Sequence, residues 1–506
     1  MNTRWALSAV IVLSLLLGGA AAAQGDYEPV FEESECLFDL PGITCGVLIV
    51  PEDRSDPAGN QVELAVAIIQ SRSASPAADP VIYLEGGPGG AALFGIEDLQ
   101  RHPIVDSRDL IVFDQRGNGF SVPSLNCPEL EDVEAEDAIE LCRDRLIEEG
   151  VNLDAYNTAA SAADVNDLRV ALGLDQVNLW GISYGTKLAL ITMRDFPEGI
   201  RSVVIDSVYP PEIEDLTQQA TAFTGAYEAL FDRCAADAAC SEAFPDLEAV
   251  FYDTVAAYNE SPVYFENDDG EVELTGDELL TQLFQALYDT ERLPYLPYAL
   301  DLLSYGDEVD ALVDGYDILT GYYIPDDSGE ELPPSAVDES TFVQGYVAEF
   351  GDVSDSEGQA YSVDCSEEYQ LTDVDAAYAA AEAAPEPIVS YLIGGIESAL
   401  ADCDIWGVQT ADPVEAQRVT SDIPTLVVSG AMDPITPPAA GESAAAGLPN
   451  GQFVAFPSAG HGITATDNEA GFCAQSLVVA FLDDPLAPLD TSCVDETDVM
   501  EFYTGM

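Results

Sequence analysis

One short stretch constrains this chain more than any other: Gly181-Ile182-Ser183-Tyr184-Gly185, inside the run QVNLWGISYGTKLALITMRDFP. Ahead of it, Val177-Asn178-Leu179-Trp180 is an apolar-leaning run of strand length. Behind it, Leu188, Ala189, Ile191 and Thr192 recur at helical spacing until Pro197. The pattern predicts strand, sharp turn and helix, the setting in which a G-x-S-x-G turn lifts a serine hydroxyl above a sheet edge. The two glycines meet a steric demand: side chains there would strike the adjacent strand and helix, and the turn needs strained dihedrals. The amide after Ser183 then points at a reacting oxygen. Alone, the motif is only suggestive, and a glycine-rich turn without chemistry is the plainer reading until other residues join it.

A chain of 506 residues with 47% hydrophobic content is enough for one large α/β domain with an insertion, or for two domains. Acidic residues number 94 against 15 basic, a net charge of −79, and Lys187 is the only lysine. Such a surface repels nucleic acid and anionic membranes, so neither is expected as a partner. It suits high ionic strength, where screening removes self-repulsion, and a halophilic or marine source is the natural inference.

Residues 1–23 read as a secretory signal peptide: Arg4 in the n-region, Trp5 to Leu17 as the apolar core, and Ala21-Ala22-Ala23 before cleavage at Gln24. The mature protein is therefore expected outside the cytoplasm, extracellular or periplasmic. The ten cysteines agree, since an oxidising compartment makes disulfides the default. Nearest-neighbour pairing would join Cys36 to Cys45, Cys127 to Cys142, Cys234 to Cys240, Cys365 to Cys403, and Cys473 to Cys493. No C-x-x-C pair exists and only two histidines are present, which disfavours a metal; no cofactor is expected.

From Cys45 onward the texture alternates between strands and helices, indicating a mostly parallel sheet flanked by helices. Val81 to Leu84 runs into Glu85-Gly86-Gly87-Pro88-Gly89-Gly90, and Leu110 to Phe113 into Asp114-Gln115-Arg116-Gly117. Residues 24–211 form the first part of this core. Residues 212–400, rich in Ala, Leu, Tyr and acid, read as a helical cap inserted over the sheet edge. They contain a capping box of Thr275 and Glu278 and a polar loop at 325–340. Residues 401–506 resume the core, with Thr425 to Ser429 leading to Asp433 and Gln452 to Phe456 leading to His461.

Histidine scarcity sorts the candidates. A serine hydroxyl needs a nearby base, usually imidazole. His102, in LQRHPIVD, reads as a surface or packing residue. His461, in a glycine-flanked turn after a strand, completes with Ser183 and Asp433 the order Ser, Asp, His of the α/β-hydrolase arrangement. The carboxylate would hold the imidazole tautomer and stabilise its protonated form.

Four stretches carry a resemblance: EGGPGG at 85–90, FDQRGNGFS at 113–121, WGISYGT at 180–186, and the pair GAMDPITP and SAGHG near the end. With them the chain resembles the tripeptidyl-aminopeptidase branch of the prolyl-aminopeptidase-like serine peptidases, within the α/β-hydrolase superfamily. The resemblance implies Ser183 as nucleophile, Asp433 as acid, His461 as base, and an oxyanion hole from the Gly87 and Tyr184 amides. It further implies that Glu367, in the C-x-E element Cys365-Ser366-Glu367, binds the substrate's free amino end. The prolyl members usually carry His before GGPG; this chain has Glu85, which argues against a strict proline iminopeptidase. The implied partner is a peptide with a free N-terminus. The competing readings are an esterase using the same three residues, and a silent binding protein on a hydrolase scaffold.

Overall fold

The computed structural model describes residues 27–131, 137–267, 270–306, 308–322 and 354–505. The expected signal peptide (1–23) and the polar loop at 325–340 lie outside the described residues.

A nine-stranded sheet carries the site. Its strands are β1 (Val30–Ser34), β2 (Ile43–Pro51), β3 (Gln61–Ile69), β4 (Val81–Leu84), β5 (Leu110–Phe113), β6 (Val177–Ile182), β7 (Ile200–Asp206), β10 (Thr425–Gly430) and β11 (Gly451–Phe456). Strands β8 (Val263–Asn267) and β9 (Gly270–Leu274) form a separate hairpin. The sheet order is β1-β2-β3-β5-β4-β6-β7-β10-β11. Pairing is parallel from β5 through to β11 and antiparallel along β1, β2, β3 and β5.

Every residue of β4, β5 and β6 is buried, which is why these strands read as unbroken apolar runs rather than as alternating ones. The period of two still sorts their side chains. Ile82, Leu84, Ile111, Phe113 and Leu179 enter the core on one face, and Val81, Tyr83, Leu110, Val112 and Trp180 the core on the other. Register then decides where function can sit. Leu84 pairs with Gly181, Ile182 and Val428 both pair with Asp206, and Gly430 pairs with Phe456. The carboxyl ends of β4, β6, β7, β10 and β11 are thus level, and five loops leave from one rim, the position where open α/β sheets bind ligands.

Between β7 and β10 the described chain is mainly helical, with long helices at Asp215–Ala236, Leu247–Glu260, Gly276–Tyr288 and Glu386–Trp406. These helices share a core built on Phe223, Tyr227, Phe251, Leu280 and Leu283. The hairpin β8–β9 was not expected: its strands are short and half exposed, so they leave no apolar run to read. Thr275 Oγ1 accepts the Glu278 N–H at 2.9 Å, as a cap should. Glu278 instead accepts from Gln282 at 2.8 Å, so only half of the expected capping box forms. All five disulfides join the nearest-neighbour cysteines, and no helix among the described residues is long and apolar enough to cross a membrane.

The rare cations are mostly spent in ion pairs, as with Arg72 and Asp106, Arg194 and Glu415, or Arg418 and Glu212. The excess of acid therefore has no counter-charge within the protein. Screening should supply it: the midpoint of thermal unfolding is expected to rise steadily as NaCl goes from about 0.1 M to about 2 M. A midpoint that is flat or falls in scanning fluorimetry over that range counts against this account of the charge.

Candidate active site

Ser183 stands between β6 and the helix Tyr184–Asp195 with φ of 56° and ψ of −125°. A non-glycine residue held there stores strain, of a kind that collects at functional sites. Its neighbours show why the turn needs glycine. A Cβ on Gly185 would lie 2.0 Å from the Leu84 carbonyl oxygen, and one on Gly86 would lie 3.0 Å from the Ser183 Cβ. The serine N–H donates to the Asp206 carbonyl at 3.0 Å, pinning the turn to β7.

Asp433 and His461 meet across the same rim. His461 Nδ1–H donates to Asp433 Oδ2 at 2.8 Å. The rest of the Asp433 carboxylate is fully engaged: Oδ1 accepts the N–H groups of Ile435 at 3.0 Å and Thr436 at 2.8 Å, and Oδ2 accepts the Thr436 hydroxyl at 2.7 Å. Burial opposes the charge on Asp433, but His461 and these donors outweigh it and bring its pKa to about 2. Burial likewise opposes charge on the imidazole, yet Asp433, with Asp206 and Glu85 behind it, holds the His461 pKa above its ordinary value of 6.5. Thr436 was not singled out in the sequence, although its spacing in GAMDPITP is that of an Asx-type turn.

The His461 loop lies against the serine strand: a Cβ on Gly462 would be 3.4 Å from Ile182 Cγ2. With Nδ1–H given to Asp433, the lone pair is on Nε2. The Ser183 hydroxyl bonds to no described residue, His461 included, and faces a cavity of about 160 Å³. In unliganded enzymes such bonds are often open and tighten when substrate binds.

Gly87 and Pro88 line the same cavity. Neither the Gly87 nor the Tyr184 amide N–H donates to an acceptor among the described residues. Glu85 braces the Gly87 loop, its half-buried carboxylate accepting the Gly86 N–H at 2.8 Å. The DQRGNG stretch braces it from below: Gln115 Nε2 donates to the Glu85 carbonyl at 3.0 Å and Asn118 Nδ2 to the Gly90 carbonyl at 3.0 Å. Its Arg116 is fully buried, paired with Asp164 at 2.7 Å. Residues 354–356, from the mainly helical stretch between β7 and β10, meet the loop, the Ser356 N–H donating to the Gly89 carbonyl at 3.0 Å. A wider surface hollow of about 410 Å³ beside Arg54 and Asn152 contains none of the expected site residues.

Glu367 does not line the serine's cavity. Its side chain is 1% exposed and both oxygens are occupied. Oε1 accepts the Thr158 N–H at 2.6 Å, and Oε2 accepts the Thr158 hydroxyl at 2.7 Å and Lys187 Nζ at 2.9 Å. Glu368 forms the second ion pair with Lys187. The carboxylates that do line the cavity are Asp215 and Asp364. Burial, then repulsion from Glu368, pushes Asp215 up to about 7; burial, then Asp215 and Glu368, holds Asp364 well above the usual carboxylate range. Among 94 acidic residues nothing local marks these two. His102 is a packing residue: buried, with its ring centroid 4.5 Å from that of Trp180 and its pKa lowered to about 4 by burial.

A level parallel sheet edge, a strained serine after β6, and an aspartate bonded to a histidine after the last two strands together define an α/β-hydrolase. Residues 79–241 match the family described as alpha/beta hydrolase fold, and residues 394–493 the family described as TAP-like protein. The chain has the α/β-hydrolase fold with a TAP-like C-terminal region. It is 25% identical to the serine protease Hip1 of Mycobacterium tuberculosis over 94% of each chain. A tripeptidyl aminopeptidase of Streptomyces lividans is 31% identical over 40% of this chain and 43% of that one. A putative hydrolase of Escherichia coli, YuaR, is 28% identical over 53% and 57%.

Proposed function

We propose that the protein is an exported serine exopeptidase acting on peptides with a free N-terminus. Ser183 attacks the carbonyl, and His461 takes its proton through Nε2 and passes it to the leaving amine. Asp433 fixes the tautomer and stabilises the imidazolium, and water then releases the acyl-enzyme. The amides of Gly87 and Tyr184 receive the oxyanion, two donors that together contribute several kcal/mol. The helical stretch within 212–400 acts as the cap over a core of 24–211 and 401–506. Export accords with five disulfides, which form and persist in oxidising compartments.

The hydrogen bond from His461 Nδ1 to Asp433 carries the catalytic reading, because it leaves the Nε2 lone pair free to accept a proton. Asp215 and Asp364 support the exopeptidase part. Asp215 is buried and Asp364 half-buried in the serine's own cavity, both with pKa values raised by burial and by neighbouring carboxylates, and an α-ammonium placed there would relieve that repulsion. These two replace Glu367 in that role.

A peptide ladder with free and acetylated N-termini, read by mass spectrometry, tests the proposal. Cleavage confined to the free peptides is expected. Cleavage indifferent to acetylation removes the exopeptidase reading and leaves the hydrolase; faster turnover of p-nitrophenyl esters than of peptides favours an esterase.

The pH profile follows from the imidazole. His461 must be neutral to accept the proton, and its pKa is raised, so kcat/KM is expected to fall as pH drops through a value above 6.5. An acid limb centred below that value would contradict the electrostatics described for the site.

A further inference from the structure

The loop carrying His461 is held from beneath by groups that the reaction does not touch. Strand β7 ends at Asp206, and Ser207 follows with φ of 55°, the same strained region as Ser183. Such a residue costs on the order of 1–3 kcal/mol and persists only where its surroundings enforce it. Here the Ser207 N–H donates to the Val428 carbonyl at 3.0 Å, and its Oγ accepts the Gly462 N–H at 2.8 Å. Asp206, fully buried, accepts both the N–H and the hydroxyl of Thr464 on Oδ2, each at 2.7 Å. Thr464 is fastened further: its Oγ1 accepts the Trp180 Nε1–H at 3.0 Å, and His102 Nε2–H reaches its carbonyl at 3.2 Å. The residue after the histidine and the one two beyond that are therefore tied to the end of β7.

We propose that Asp206 is a positioning residue for His461: its carboxylate fixes residues 462–464, and its charge favours the imidazolium formed as Ser183 gives up its proton. The inference rests on the reading of Ser183, His461 and Asp433 given above. The groups facing the imidazole are Asp433, bonded to it, Asp206 and Glu85 behind it, and the Tyr288 ring with its centroid 4.7 Å away. Asp206 in turn faces Thr464, Ser207, Asp433 and Tyr83. Burial raises its pKa to about 6 against the pull of Thr464 and His461, which leaves it ionised at neutral pH.

Asp206→Asn keeps an acceptor for Thr464 and removes the charge. It is expected to move the acid limb of kcat/KM about one pH unit lower, with KM unchanged. Asp206→Ala also removes the anchor, and kcat is expected to fall on the order of 10²-fold with KM unchanged, the effect of a small misplacement of the base. The Asn variant carries the test if the Ala variant does not fold. Fluorophosphonate labelling of the wild type and the loss of activity in His461→Ala are measured alongside. If the wild type labels, His461→Ala is silent, and the acid limb of Asp206→Asn superimposes on the wild type, the inference fails alone. If the wild type does not label, the site reading fails and takes the inference with it.

Discussion

Replacing Ser183 with alanine is expected to lower kcat/KM by roughly 10⁴- to 10⁶-fold and to abolish fluorophosphonate labelling, with the fold intact. The argument comes from the turn. Ser183 is held at φ of 56° by its bond to β7, and its side chain already abuts Gly86, so no neighbouring hydroxyl can be brought to the same place. His461→Ala should cost nearly as much, and the double variant little more than either single one, because the nucleophile and its base act as a unit. Asp433→Asn should cost on the order of 10⁴-fold through the wrong tautomer, since an amide cannot accept from Nδ1 and Thr436 as the carboxylate does. Single-turnover kinetics on a free-N-terminus peptide measure all four. A Ser183→Ala protein that keeps more than about one per cent of the rate removes the acyl-enzyme mechanism.

The largest expected effect on stability belongs to the only lysine. Lys187 lies on the helix following the serine, 1% exposed, paired with Glu367 at 2.9 Å and with Glu368. Burial works against its charge, yet the two carboxylates hold its pKa above the usual lysine range. Lys187→Met strands two carboxylates in the interior and is expected to cost about 3–5 kcal/mol in urea unfolding. Replacing Glu367 and Glu368 with glutamine in the same variant should recover most of that, because the cost comes from unpaired charge and not from lost packing. A single variant that costs less than about 1 kcal/mol would show that the clamp does not hold this region. The function at stake is positional. The segment from 354 to 369 touches the glycine loop at Gly89, presents Asp364 to the cavity, and ends on Lys187, so loosening one end loosens the wall around the serine.

Much of this architecture can be read from the chain itself, and the readable parts share a reason. The strand–turn–helix around Ser183, the apolar runs of β4 and β5, and the pairing of cysteines 6 to 38 residues apart are local or short-range features. Backbone sterics and periodicity write such features directly into consecutive residues. The pairing of His461 with Asp433 is legible for a second reason: only two histidines exist, so scarcity singles out His461, and Asp433 follows from its place after the preceding strand.

The same reasoning explains what the sequence could not determine. Acidic residues are so abundant that no local pattern separates Glu367, which ties down Thr158 and Lys187, from Asp364, which faces the cavity three residues earlier. Nor does anything near Asp206 announce that its partner is Thr464, 258 positions away. Which carboxylate meets a cation, a hydroxyl or open space depends on how segments far apart in the chain are brought together, and only the packed sheet and its inserted helices decide that. Identity and spacing specify the turn and the strands, whereas the surroundings of each buried charge arise from burial, after the chain has closed over it.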